Sequence, residues 1–168
     1  MEARHVGAVV AGIAALAAVA LVAQAVLPAT LLHTGATYDD ATVTVENESG
    51  GELGTVEVRV ADTQQERFTG LSDTDSLAAD EGMLFVHVRE GDRAYVMRDM
   101  AFPIDIIFVG ANGTITAVHE ASVPPPGTEE ADLTRYRGRA ELVLEVNRGW
   151  ADRHGVGVGD RVRVNYTG

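Results

Sequence analysis

The chain has 168 residues, with 25 acidic and 13 basic side chains, a net charge of −12 and no cysteine. That length fits one domain with a single core. So acidic a surface speaks against nucleic acid or anionic lipid as a partner, because both attract positive charge. The lack of cysteine excludes disulfides, thiol nucleophiles and Cys metal sites. Every basic residue is arginine. Acidic surfaces of this kind keep proteins solvated in concentrated salt, so a halophilic source is expected.

Val6 to Ala23 contains no polar side chain, and the apolar character resumes after Gln24 as Ala25-Val26-Leu27 before Pro28 ends it. Roughly 20 such residues suffice for a helix to cross a bilayer. Residues 1–30 are therefore expected to form one N-terminal transmembrane helix, with 31–41 a linker and 42–167 the soluble domain. The alternative is a signal peptide cut at Ala23-Gln24-Ala25, which would release the domain after cleavage near Ala25. In both cases Arg4 precedes the run and Asp39 and Asp40 follow it. The domain is accordingly expected on the extracytoplasmic side of the cell membrane.

Thr42 to Glu46 and Val56 to Val60 alternate in polarity around the turn-forming Glu48-Ser-Gly-Gly-Glu52, which predicts a hairpin. Asp62 reads as the N-cap of a short helix over Thr63 to Phe68 that stops at Gly70. Ser72 to Glu81 reads as an acidic loop. Strands are then predicted at Met83–Val88, Ala94–Met97, Ile104–Val109 and Ile115–Glu120, with Asn112-Gly113 turning the last two into a hairpin. A polar loop opens at Pro124 and runs to about Arg137, followed by a strand over Ala140–Val146. Trp150–His154 reads as one or two helical turns closed by Gly155, and Arg161–Tyr166 as a final strand. The fold class is mainly β: a compact, partly closed antiparallel domain with one or two short helices, behind the transmembrane helix.

The order of motifs is similar to that of the domain of unknown function 192 family, an uncharacterised protein family. The matching blocks are Glu66-Arg67-x-x-Gly70-Leu71, Gly82-Met83-Leu84-Phe85, Met97-Arg98-Asp99 and Pro103-Ile104-Asp105-Ile106-Ile107-Phe108. The C-terminal match runs from Leu144-Glu145-Val146-Asn147-x-Gly149-Trp150 through His154-Gly155 to Gly159-Asp160-x-Val162. The family usually has Met-Lys-Asn where this chain has Met97-Arg98-Asp99. Many bacterial members also carry a Cys-containing loop where this chain has Ser122 to Glu130 without one. The resemblance implies a compact, mainly β domain, often secreted or membrane-anchored, and brings no established activity.

Ile104 to Val109 is apolar on both faces, so the strand is expected to be buried on both sides, with Asp105 inside. A carboxylate there needs donors or a cation, and Arg98 or Arg67 is the expected partner. The candidate polar pocket or core network is Arg67, Met97, Arg98, Asp105, His119, Glu120, Glu145 and Asn147, with Met97 and Trp150 as apolar walls of any pocket. His119-Glu120 is the most enzyme-like pair, although neighbours on a strand point to opposite faces. His87, His119 and His154 lack metal-ligand spacing, and no metal or cofactor is expected. Gly-x-Ser-x-Gly is absent, and Gly155, Gly157 and Gly159 lie between helix and strand, the wrong order for a dinucleotide loop. Asn47, Asn112 and Asn165 each begin an Asn-x-Ser/Thr sequon, in keeping with export.

These features describe a non-catalytic binding or accessory module, anchored in the membrane and recognising a small-molecule or protein ligand. The alternative is a hydrolase using carboxylates around Asp105 and Glu145. Two carboxylates opening into one cleft would favour the enzyme, and an Asp105 enclosed by donors would favour a scaffold.

Overall fold

The computed structural model describes residues 38–167. The expected membrane segment lies outside the described residues; among these, no helix is long and apolar enough to cross a membrane. Seven strands form one sheet: β1 (Asp39–Glu46), β2 (Glu52–Ala61), β3 (Glu81–Tyr95), β4 (Ile104–Val109), β5 (Ile115–Ala121), β6 (Tyr136–Asn147) and β7 (Arg161–Thr167). Two short helices accompany them, α1 (Gln64–Thr69) and α2 (Trp150–His154), with a 3-10 turn at Glu130–Asp132. The strand order is β5-β4-β6-β3-β2-β1-β7. The sheet is not closed. Its edge strands approach through a single Thr114–Arg161 bridge, supported by the Val162 N–H donating to Gly113 O at 2.8 Å.

The sheet also departs from the expected all-antiparallel arrangement. β2 and β3 are parallel, in register from Glu57 opposite Glu81 to Ala61 opposite Phe85. A parallel pair needs a crossover rather than a tight turn, and α1 with its following loop supplies it. Thr63 caps α1: its side chain accepts from the Glu66 N–H, while the Glu66 carboxylate reaches back to the Thr63 N–H, a capping box. The cap thus falls one residue after the expected Asp62. Gly70 ends the helix at φ 52°, a backbone setting that favours glycine.

A second difference concerns β3. The strands expected at Met83–Val88 and Ala94–Met97 belong to one strand that ends at Tyr95, leaving Val96 and Met97 outside it, and that is interrupted by a bulge between Val86 and Gly91 where its pairing with β6 shifts register. A bulge of charged residues breaks the apolar alternation without ending the strand. Val88 at its tip is 98% exposed.

Every residue of β4 is buried, and alternation divides its side chains between two cores. Ile107 and Val109 join Leu144, Val146, Trp150 and the valines of β1 and β2 on one face. Ile104, Ile106 and Phe108 join Met83, Phe85, Met97 and Val143 on the other. Close backbone approach fixes the middle of the sheet: a Cβ on Gly82 would stand 2.5 Å from the Glu145 carbonyl oxygen of β6.

Asp105 is 1% exposed and lies on the first of these faces. Its partner is not an arginine. Asp105 Oδ1 accepts from the Gly149 N–H at 3.1 Å and Oδ2 from the Ala151 N–H at 3.0 Å. The reason is local. The N-cap of α2 is Gly149, which has no side chain to satisfy the first-turn donors. Asp105 caps the helix from β4 and so anchors α2, with the fully buried Trp150, over the open face of the sheet.

Asp105→Ala orphans one buried and one half-buried N–H group and is expected to cost roughly 2–4 kcal/mol. Asp105→Asn retains one acceptor and is expected to cost about half as much. Denaturant midpoints of both variants check this, and an unchanged midpoint for Asp105→Ala contradicts the capping role.

Candidate functional site

On the opposite face of the sheet, a cleft of about 280 Å³ opens between α1, β3 and the segment that follows β3. Its apolar part is formed by Leu71, Phe85, Met97, Met100 and Ile104. Its polar part is formed by Arg67 from α1, His87, Arg93 and Tyr95 from β3, Arg98 from the turn after β3, and Glu145 from β6.

Glu145 is placed by the register: it sits opposite Met83 on β3 and Ile106 on β4. Its side chain therefore shares their face, one residue out of phase with Asp105. Only 5% of it is exposed. No side chain or backbone group among the described residues hydrogen-bonds its carboxyl, and burial alone pushes its pKa up to about 8. At neutral pH the group is mostly a protonated acid, and therefore a donor as well as an acceptor.

Tyr95 stands beside it, packed edge-on against Phe85 and Phe108 with ring centroids 5.1 and 5.9 Å away. Tyr95 Oη and His87 Nε2 share a 3.0 Å hydrogen bond. Burial raises the tyrosine's pKa, with a smaller contribution from Glu145. Burial, and after it the charges of Arg93 and Arg67, pushes His87 down to about 4, so its imidazole is neutral.

The arginines are held by backbone carbonyls. Arg67 donates to Val86 O at 2.9 Å and to Asp62 O. Arg93 donates to Ala140 O at 3.3 Å and to Arg89 O at 2.5 Å. Arg98 donates to Phe68 O, lies over the Phe68 ring at 4.1 Å, and reaches the exposed Glu130 at 3.9 Å. Among the described residues neither Arg67 nor Arg93 has a carboxylate within ion-pair distance. The turn that carries Arg98 continues through Asp99 at φ 54°. Asp and Asn tolerate that conformation better than most residues, which accounts for Asp where the family usually has Asn.

Of the residues singled out by sequence, Arg67, Met97, Arg98 and Glu145 line this cleft. The other four do not. Asp105 caps α2 on the far face. His119 bonds Arg137 O at 2.8 Å through Nε2 and packs on Phe108. Glu120, on the opposite side of β5, pairs with Arg148 at the surface. Asn147 holds the loop before β3 by donating to Leu77 O and Ala78 O. Trp150 is no wall of the cleft; it is buried in the other core with His154 stacked at 4.5 Å. Sequence reasoning weighed His87 only as a metal ligand and missed Arg93 and Tyr95, because the bulge in β3 concealed that the three share a strand. One available signal was the density of arginine at Arg89, Arg93 and Arg98 in so acidic a chain. Among the described residues no group of three or more His, Asp or Glu could hold a metal ion.

An open β sheet with two short helices and a small, arginine-walled cleft on one face defines the class. The DUF192 family model, whose members are described as uncharacterised, matches residues 45–164, and the chain belongs to that family. The chain is similar to the crystal structure of a candidate transcription regulator from Sinorhizobium meliloti 1021. That match has 29% identity, covers 77% of this chain and 97% of that one, and has a TM-score of 0.68. It is also similar to a protein of unknown function from Novosphingobium aromaticivorans DSM 12444, with 32% identity, 73% and 83% coverage and a TM-score of 0.63. No curated protein matches the chain.

The buried Glu145 and the half-buried His87 give opposing pH dependences. Glu145 has a raised folded pKa, so its contribution to stability is complete below pH 4.5 and is lost as pH rises through 8. His87 has a lowered one, so its contribution is complete above pH 6.5 and is lost as pH falls through 4. Between pH 6.5 and 8 only the Glu145 effect remains, and denaturant midpoints should fall across that interval. Glu145→Gln should flatten it. A wild-type midpoint that does not fall there contradicts the raised pKa.

Proposed function

We propose that the chain is a non-catalytic binding module, held at the extracytoplasmic face of the membrane by its N-terminal segment, and that its ligand occupies the Glu145 cleft. One observation carries the reading: Glu145 is only 5% exposed as a residue, and its carboxyl lines an open cavity with no hydrogen-bond partner among the described residues. Buried polar groups in native proteins are hydrogen-bonded as a rule, and an unpaired carboxyl that faces a cavity calls for water, an ion or a ligand there. The half-formed hydrogen-bonding capacity of Glu145 and the uncompensated charges of Arg67 and Arg93 are what a polar ligand would complete.

The hydrolase alternative loses its geometric support. It needed two carboxylates converging in one cleft, whereas Asp105 and Glu145 lie on opposite faces of the sheet and Asp105 is occupied as a helix cap. The regulator description of the Sinorhizobium protein is not extended to this chain, because a net charge of −12 opposes binding to DNA phosphates.

A residue kept for a ligand at the expense of the fold can be replaced with a gain in stability. Glu145→Met preserves length and removes the unpartnered carboxyl, and is expected to stabilise the protein by roughly 1–3 kcal/mol. The measurement is the denaturant midpoint of the full chain at pH 7. A lowered midpoint would mean that the carboxyl serves the fold, and the binding reading would fall with it.

A further inference from the structure

We infer that the cleft selects a small amphipathic anion, a carboxylate joined directly to an apolar group. This inference rests on the reading of the cleft as a ligand site. Three features of the lining lead to it. The first is charge. The domain is strongly acidic, yet Arg67, Arg93 and Arg98 converge on this one cleft and Glu145 is the one acidic residue in its lining. Among the described residues, Arg98 alone of the three has a carboxylate within ion-pair distance, the exposed Glu130 at 3.9 Å. An anion entering the cleft meets positive charge in a partly desolvated site, where such attraction is stronger than in water.

The second feature is the number of donors. The guanidiniums of Arg67 and Arg93 each spend two hydrogen bonds on backbone carbonyls. This fixes their positions and leaves three N–H groups on each, six in all. A carboxylate has two oxygens to satisfy, while a phosphate monoester has three and carries more charge. Six donors can satisfy either group, so charge decides: beside the buried Glu145 carboxyl, the singly charged carboxylate is favoured over a phosphate that carries nearly two charges. An anion next to Glu145 also favours its protonated form, so the acid would donate its proton in a hydrogen bond to a ligand oxygen.

The third feature is the apolar half. Phe85, Met97, Met100 and Ile104 form a continuous patch beside the polar groups. Methionine sulfurs pack well on aromatic rings and adapt to irregular shapes. With a volume of about 280 Å³, the cleft takes a side chain of aromatic or branched aliphatic size and little more. A free organic acid and the C-terminal residue of a peptide carry the same chemistry.

The test is a titration of the full chain in detergent, following backbone amide resonances, with phenylacetate, phenylacetamide and phenyl phosphate. Glycyl-phenylalanine with a free or an amidated C-terminus forms the peptide arm. Phenylacetate is expected to shift resonances of α1, β3 and the Met97–Met100 turn, and to bind at least about tenfold more tightly than the amide. Arg93→Gln is expected to weaken it by a similar factor. Arg98→Gln, whose partners lie at the surface, serves if the first variant does not fold. Stronger binding of the free-terminus dipeptide than of phenylacetate assigns the anion to a peptide end, and the reverse assigns it to a small acid. Equal binding of acid and amide overturns the anion selection and leaves the cleft a binding site. Tighter binding of phenyl phosphate overturns the carboxylate. If no probe shifts any cleft resonance, both the inference and the reading beneath it fail.

Discussion

The pairing of β4 with β6 carries the architecture, because β4 and the stretch 143–146 of β6 are buried on both faces and each alternate residue must satisfy one of two separate interiors. β4 has no solvent face at all. Its register against β6 sets Asp105 beside Val146 and Ile106 beside Glu145. Two carboxyls that are near neighbours across the ladder are thereby sent to opposite sides of the sheet. A slip of one residue would exchange their environments and bury both wrongly.

Those environments differ in what they supply. Behind the sheet, the glycine that caps α2 leaves backbone donors without a side chain to receive them, and Asp105 accepts from both. Its charge is spread into the first turn of a helix, an arrangement that favours anions even at one end of a short element. In front, Glu145 finds arginines already tied to carbonyls, a tyrosine committed to His87, and open space. One carboxyl completes the fold, and the other is left incomplete within it. The guanidiniums around Glu145 are preorganised by their carbonyl partners, so little rotamer freedom remains to be lost when a ligand arrives.

Much of the fold was legible because its signals are local. Alternation in β1 and β2, the Asn112-Gly113 turn, and glycines flanking Trp150–His154 each mark structure within a few residues. The two-sided burial of Ile104–Val109 was equally plain. What could not be read depended on distant parts of the chain. The parallel pairing of β2 with β3 follows from where α1 packs. The donors for Asp105 lie 44 and 46 residues further on, in backbone that carries no side-chain signature. Four of the eight candidate polar residues line the cleft, since their motifs mark conspicuous residue types. Arg93 and Tyr95, and the place of His87 beside them, were hidden because a bulge scrambles the period on which a strand is recognised.

The central claim is that Glu145 is an unpartnered, neutral acid lining an open cleft. Its most direct test is the carboxyl carbon resonance of Glu145, followed by nuclear magnetic resonance as pH is raised, with Glu145→Gln supplying the assignment. The account predicts a midpoint near 8, far above that of the surface glutamates. A midpoint in the ordinary range near 4.3 would mean that the carboxylate is charged and well compensated within the fold, and would contradict the account.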